Sequence, residues 1–244
     1  MISSQWQGKK AAFLGDSITD KCHVGTSINY WQFLEEYLGL IPLVYGINGN
    51  SWINAKDQAQ KLYTEHGTDI DAIFIFLGTN DYMGNIPPGE WFTYQMTDTN
   101  YAGNPVKRLK RFPNFDEGTF CGRINSTMAF LKETFPRQQI ILMTPLHRAF
   151  ATFSSTNVQP EESFPNSLGI YVEKYVELIR EAADIWACPL IDLYRNSGLY
   201  PLTESHGEFF HDSATDRLHP GDAGHKRIAD TMMYQMLSLP ATFR

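Results

Sequence analysis

Five short apolar runs divide the chain, at residues 11–15, 42–46, 72–78, 139–144 and 188–193. Each reads as a strand buried in a sheet. Several of the stretches between them carry apolar residues at three- and four-residue spacing, as in Tyr171, Val172, Tyr175, Val176 and Ile179, and helices are expected over 27–38, 53–66, 117–135, 167–186 and 222–237. Strand and helix alternate five times. That alternation predicts an α/β fold in which a parallel, doubly wound sheet lies between two layers of helices.

Two connections, at about 82–116 and 146–165, exceed the usual length of roughly four to six residues and read as long inserted loops. The first holds Trp91, Phe92, Tyr94 and Tyr101 at irregular spacing, which does not describe a helix face. A third irregular stretch, 196–215, runs into the C-terminal histidine motif. The chain has 244 residues, 43% of them apolar, which suits one large domain over 1–244.

The net charge of −7 argues against a nucleic-acid or anionic-membrane partner. The one basic run, Lys107, Arg108, Lys110 and Arg111, reads as a solvated loop. Three widely spaced cysteines, Cys22, Cys121 and Cys188, fit neither a disulfide framework nor a thiolate metal site. Residues 1–10 lack the apolar core of a secretory leader, and no apolar run approaches the roughly 18 residues of a membrane span. As written the chain reads as cytoplasmic, with secretion left open by a leader removed earlier.

The first strand runs into Gly15-Asp16-Ser17-Ile18-Thr19-Asp20, which puts Ser17 at the carboxyl end of strand one, where open α/β sheets bind ligands. Alone, Gly-Asp-Ser is equally a turn or helix cap. Three further blocks accompany it: Gly46-Ile47-Asn48-Gly49 after strand two, Gly78-Thr79-Asn80-Asp81 after strand three, and Asp216-Arg217-Leu218-His219-Pro220 near the C-terminus. In order and spacing these four blocks resemble those of the SGNH (GDSL-like) hydrolase family, along most of the chain. The resemblance implies a flavodoxin-like three-layer α/β/α fold with a five-stranded parallel sheet in the order 2-1-3-4-5. It also implies Ser17 as nucleophile, Ser17, Gly49 and Asn80 as oxyanion donors, and Asp216 and His219 as charge partner and base.

Elementary chemistry agrees. A neutral serine hydroxyl needs an adjacent base, and a carboxylate holds that imidazole in one tautomer. Asp216 and His219 lie three apart, within reach of a single tight turn. Attack on an ester builds an oxyanion, for which the Ser17 and Gly49 N–H groups and the Asn80 amide are available donors. In the 2-1-3-4-5 order the loops after strands one, two and three are neighbours, so the three donors converge.

Asp16, Trp91 and His147 are the candidate substrate contacts, although Asp16 reads more simply as orienting the serine loop and His147 as structural. Asp81 reads as a turn or helix cap, and His225 as part of a capped helix start. A two-metal phosphoesterase is disfavoured by the lack of Asp-x-His, Gly-Asn-His-Glu and Gly-His-x-His blocks, so no metal or other cofactor is expected. The expected substrate is a small-molecule or carbohydrate ester: the aromatic residues of 82–116 favour a ring-shaped partner, since aromatic faces pack on sugars as well as on acyl chains, and an acetyl ester of a carbohydrate is the favoured case. A lysophospholipase or thioesterase, and a non-catalytic carbohydrate-binding module, are the alternatives. The 82–116 segment is also a candidate subunit interface.

Overall fold

The computed structural model describes residues 4–243. In chain order its elements are β1 (Lys10–Gly15), α1 (Tyr30–Leu38), β2 (Ile41–Val44), α2 (Trp52–His66), β3 (Ala72–Phe76), α3 (Thr79–Met83), β4 (Phe92–Tyr101), β5 (Asn104–Pro113) and α4 (Phe120–Thr134). There follow β6 (Gln139–Met143), β7 (Ala151–Ser154), β8 (Asn157–Gln159), α5 (Val172–Ile185), β9 (Leu190–Ile191), α6 (Leu193–Asn196), a 3₁₀ turn (Glu204–Phe209), β10 (Phe210–Asp212), β11 (Asp216–Pro220) and α7 (Asp222–Met236).

The central sheet is all parallel, in the order β2-β1-β3-β6-β9. Counting its strands alone, this is the expected 2-1-3-4-5. Side chains of a strand alternate between faces, and here both faces are apolar. Phe13, Phe74 and Ile141 face a cluster with Tyr30 and Leu34 of α1 and Met232 of α7. Leu14, Ile75 and Leu142 face the opposite cluster, with Trp52 of α2, Ile124 of α4 and Tyr175 of α5. This double burial makes the strands uniformly apolar and the fold three-layered.

Both long connections carry strands of their own. Segment 82–116 contains a hairpin in which β4 and β5 pair antiparallel from Phe92↔Pro113 to Tyr101↔Asn104. Its two-residue turn has Ala102 and Gly103 at φ of 50° and 84°, the doubly positive geometry that suits the twist of paired strands. Segment 146–165 supplies β7 and β8, which join β10 and β11 in a second sheet, ordered β10-β11-β7-β8. Helix α5 starts at Val172 rather than 167 because the Asn166 carboxylamide accepts the Leu168 and Ile170 N–H groups and turns the chain. No helix among the described residues is long and apolar enough to cross a membrane.

Candidate active site

The sharp turn after β1 is held from α2. Gln58 accepts the Gly15 N–H at 2.9 Å and donates to the Gly15 carbonyl at 2.8 Å, bracketing one residue of the sheet with one side chain. Only glycine fits there, since a Cβ would stand 2.3 Å from Thr19 Oγ1. The chain then turns through Asp16, whose carboxylate accepts the Ile18 N–H at 3.0 Å and whose carbonyl accepts the Thr19 N–H at 3.0 Å. Ser17 rides on this turn.

Ser17 Oγ lies 2.9 Å from His219 Nε2, and His219 Nδ1 lies 2.8 Å from Asp216 Oδ2. With Nδ1–H donating to the carboxylate, Nε2 is left to accept the serine proton. Asp216 and His219 lie on β11 rather than in a free turn. The carboxylate reaches the ring because Asp216 Oδ1 also accepts the Leu218 and His219 N–H groups, both at 3.1 Å, folding the side chain back along its own strand. Burial pushes the Asp216 carboxyl up, but the His219 hydrogen bond and charge and the two N–H bonds outweigh it, so the net shift is downward and the group is a carboxylate.

Gly49 lies on the loop after β2, which Asp20 ties to the serine turn by accepting both the Cys22 N–H at 2.8 Å and the Asn48 N–H at 2.7 Å. Its φ of +80° demands glycine, while the space a Cβ would occupy is open. Among the described residues the Ser17 and Gly49 N–H groups donate to no protein atom. Asn80, in α3, donates from Nδ2 to the Asn50 carbonyl at 2.8 Å. The structure thus brings Ser17, Gly49, Asn80 and His219 around one cleft of about 410 Å³, with Asp216 behind the ring.

The three candidate substrate contacts lie elsewhere. Asp16 lines a second, small cavity of about 10 Å³ together with Thr79, His147 and Arg148. Burial pushes its carboxyl up to about 7 against the pull of the Ile18 N–H and His219. His147 bonds Glu162 through Nδ1 and stacks on Tyr194 at 3.6 Å between ring centroids. Trp91 donates from its indole to Glu181 at 2.7 Å, at the root of the β4–β5 hairpin. None of the three lines the cleft around Ser17 and His219.

Asp81 is a cap, but of α2 rather than its own helix: it accepts the Trp52 N–H at 3.0 Å and pairs with Arg123 at 2.9 Å. His225 is fully buried, accepts the Tyr30 N–H at 3.2 Å through Nδ1, and is pushed down to about 3 by burial, so it stays neutral.

Sequence reasoning did not foresee the far wall of the cleft. The β7–β8 hairpin contributes Phe153, whose ring centroid lies 5.6 Å from that of His219, together with Asn157 and Gln159. Gln159 is oriented from below by Arg148, itself 1% exposed, which donates to Gln159 Oε1 at 2.6 Å and to Thr79 Oγ1 at 3.0 Å. A buried arginine at the foot of a hairpin was the available signal, but burial is not readable from position 148 alone. Among the described residues no group of three or more His, Cys, Asp or Glu side chains is arranged to hold a metal ion.

The sequence pattern of the GDSL-like Lipase/Acylhydrolase family matches residues 13–227. No curated protein matches the chain. Among solved structures, a Lactobacillus plantarum protein is 23% identical with a TM-score of 0.73, covering 94% of this chain and 97% of its own. A possible lipase from Chitinophaga pinensis is 20% identical with a TM-score of 0.69, covering 95% and 99%. An acetyl xylan esterase variant from Geobacillus stearothermophilus is 21% identical with a TM-score of 0.57, covering 96% of each chain. These likenesses are of fold.

Proposed function

Because the chain belongs to the GDSL-like lipase/acylhydrolase family, we propose that it hydrolyses short acyl esters, acetyl esters of a carbohydrate above all, through an acyl-enzyme on Ser17. The observation that carries this reading is the unbroken chain of hydrogen bonds from Asp216 through His219 to Ser17 at the edge of an open cleft.

In the proposed reaction His219 Nε2 takes the Ser17 proton as Oγ attacks the ester carbonyl carbon. The negative charge that gathers on the carbonyl oxygen is met by the Ser17 and Gly49 N–H groups and by the second N–H of the Asn80 amide, the first being engaged by Asn50. Collapse of the tetrahedral intermediate breaks the bond to the alcohol oxygen, which leaves with the proton from His219. A water then gives its proton to His219 and attacks the acyl carbon, and the acid departs as the proton returns to Ser17 Oγ. Asp216 stabilises the imidazolium at each stage.

The cleft wall supports a polar alcohol. Asn48, Asn80, Asn157 and Gln159 present amides, and Phe153 is the aromatic surface among them. Such a lining can satisfy the hydroxyl groups of a sugar, with Val24, Phe153 and Leu218 as its apolar surface, and this favours a carbohydrate ester over a lysophospholipid. The acetyl xylan esterase among the structural neighbours points the same way. A non-catalytic binding module is disfavoured because nucleophile, base and charge partner are assembled at bonding distance.

The test is a panel of acetylated sugars against nitrophenyl esters of increasing chain length, run with wild type and Ser17→Ala. Turnover should be greatest on acetyl esters and vanish in the variant with its melting temperature nearly kept. A residual rate above about one part in a hundred moves the nucleophile elsewhere. A rate that rises with acyl length overturns the acetyl assignment.

A further inference from the structure

The β4–β5 ribbon is fastened to the domain at its root. The Asn114 N–H donates to the Trp91 carbonyl at 2.9 Å, and Asn125, fully buried in α4, donates to the carbonyls of both Trp91 and Asn114 at 2.9 and 2.8 Å. Beyond that clamp, the hydrogen bonds, ion pairs and ring contacts that the described residues 92–113 make are all within the ribbon. Residues paired across an antiparallel ladder share a face. One face therefore carries Tyr94, Met96 and Leu109, which are 62%, 58% and 63% exposed, flanked by Arg111 on one side and by the Lys107–Asp98 ion pair, 3.9 Å, on the other. A lone two-stranded ribbon is at best marginally stable in water, and a contiguous exposed apolar patch marks a contact surface.

The same chain carries a surface of complementary character. Phe164, Leu168 and Tyr171, each about half exposed, lead into α5. That helix displays Glu173, Glu177, Glu181 and Asp184 on its exposed side, with Lys174 exposed beside them and Arg180 among them bonded to Asp192 at 2.9 Å. The ribbon, by contrast, has four basic residues and one acidic residue in a chain whose net charge is −7. Arg111 and Lys107 border the apolar face of the ribbon and Arg108 and Lys110 the opposite one, so a net-positive ribbon with an apolar face is matched by an apolar segment beside a net-acidic helix.

Geometry decides between the same copy and a second one. The ribbon root is pinned beside Glu181 by the Trp91 indole, and ten residue pairs at roughly 3.4 Å per residue carry the tip on the order of 30 Å from it. The ribbon does not fold back on its own α5. We propose that the ribbon of one copy lies across segment 164–184 of a second copy and receives that copy's ribbon in return, forming a two-fold dimer by exchange of arms. Because root and acceptor are adjacent, a two-fold axis near α5 satisfies both contacts at once, which is the self-complementary arrangement closed dimers require.

The experiment is the mass in solution by light scattering and sedimentation, independent of any esterase assay, at up to roughly 100 μM, which detects any dimer with a Kd tighter than about 10 μM. Wild type should run at twice the 27.8 kDa chain mass. One variant reverses the cations on the apolar face of the ribbon (Lys107→Glu and Arg111→Glu) and another the helix (Glu173→Lys, Glu177→Lys and Asp184→Lys). Each should be a folded monomer by circular dichroism. Mixing them should restore the dimer, since each reversed surface then meets its opposite charge. A monomeric wild type overturns the proposal. So does a dimer that survives both reversals, or a pair of folded variants that fails to recombine.

Discussion

Asn80 Nδ2 donates to the Asn50 carbonyl at 2.8 Å, which fixes the amide plane and leaves its second N–H facing the cleft shared with Ser17. If that N–H meets the oxyanion, Asn80→Ala lowers kcat by about 10²–10³, roughly 2.7–4 kcal/mol, with KM within a few fold. If the amide only anchors the Asn50 loop, the substitution lowers the melting temperature and leaves kcat nearly intact. Measuring kcat, KM and thermal unfolding on one sample separates these outcomes.

Asp216→Asn should reduce kcat by about 10³–10⁴, because an amide can donate to His219 Nδ1 and so favour the tautomer that cannot accept the Ser17 proton. The stability consequence has a definite pH window. The Asp216 carboxyl is held below its ordinary value, so its contribution is fully present above about pH 4 and disappears as pH falls through the lower folded value. The melting-temperature gap between wild type and Asp216→Asn should narrow in strong acid. A gap independent of pH would show that the carboxylate charge contributes nothing to folding.

Asp16 has the opposite sign. Its carboxyl is raised to about 7 by burial, so between its unfolded value near 4 and pH 7 the folded state holds the extra proton and stability falls as pH rises. Asp16→Asn keeps an acceptor for the Ile18 N–H and removes the titration. It should match wild type near pH 4 and melt higher at pH 8, the difference being on the order of a few kcal/mol at roughly 1.4 kcal/mol per unit. Identical melting curves at pH 8 would refute this.

Gln159 Oε1 is occupied by Arg148, so the amide presents N–H groups to the cleft. Gln159→Ala should raise KM for an acetylated sugar roughly three- to tenfold, the value of one hydrogen bond. With nitrophenyl acetate, which has no hydroxyl to meet, KM should hardly change. Equal effects on both substrates would show that Gln159 shapes the cleft without reading the alcohol.

The parallel sheet was legible because its strands are buried on both faces, and runs such as Ala72–Phe76 are accordingly continuous in apolar residues. The nucleophile, base and oxyanion candidates were legible because they sit at fixed offsets from those strands or in a compact motif of their own. The hairpins were not. Tyr94 and Met96 alternate with Thr93, Gln95 and Thr97 as a strand requires, but the turn is Ala102-Gly103, without the Asn or Asp that usually announces it. The partners of Trp91 and His147, Glu181 and Glu162, were not legible because only tertiary folding supplies them. Gln159 reaches the cleft through an antiparallel sheet whose strands come from two distant segments, a pairing that no local pattern encodes.

The cleft straddles two sheets. Ser17, Gly49 and Asn80 follow β1, β2 and β3 of the parallel sheet, while His219 lies on β11, beside the β7–β8 hairpin that carries Phe153, Asn157 and Gln159. Inheritance can act on the two halves separately. Residues and turn length between β7 and β8 can drift, altering which alcohol is admitted, while the Gln58 bracket on Gly15 keeps the serine turn unchanged. Under the proposed reaction His219 is the one reacting group on that side, so the Ser17–His219 hydrogen bond limits how far the wall can be remodelled before catalysis is lost along with the old substrate.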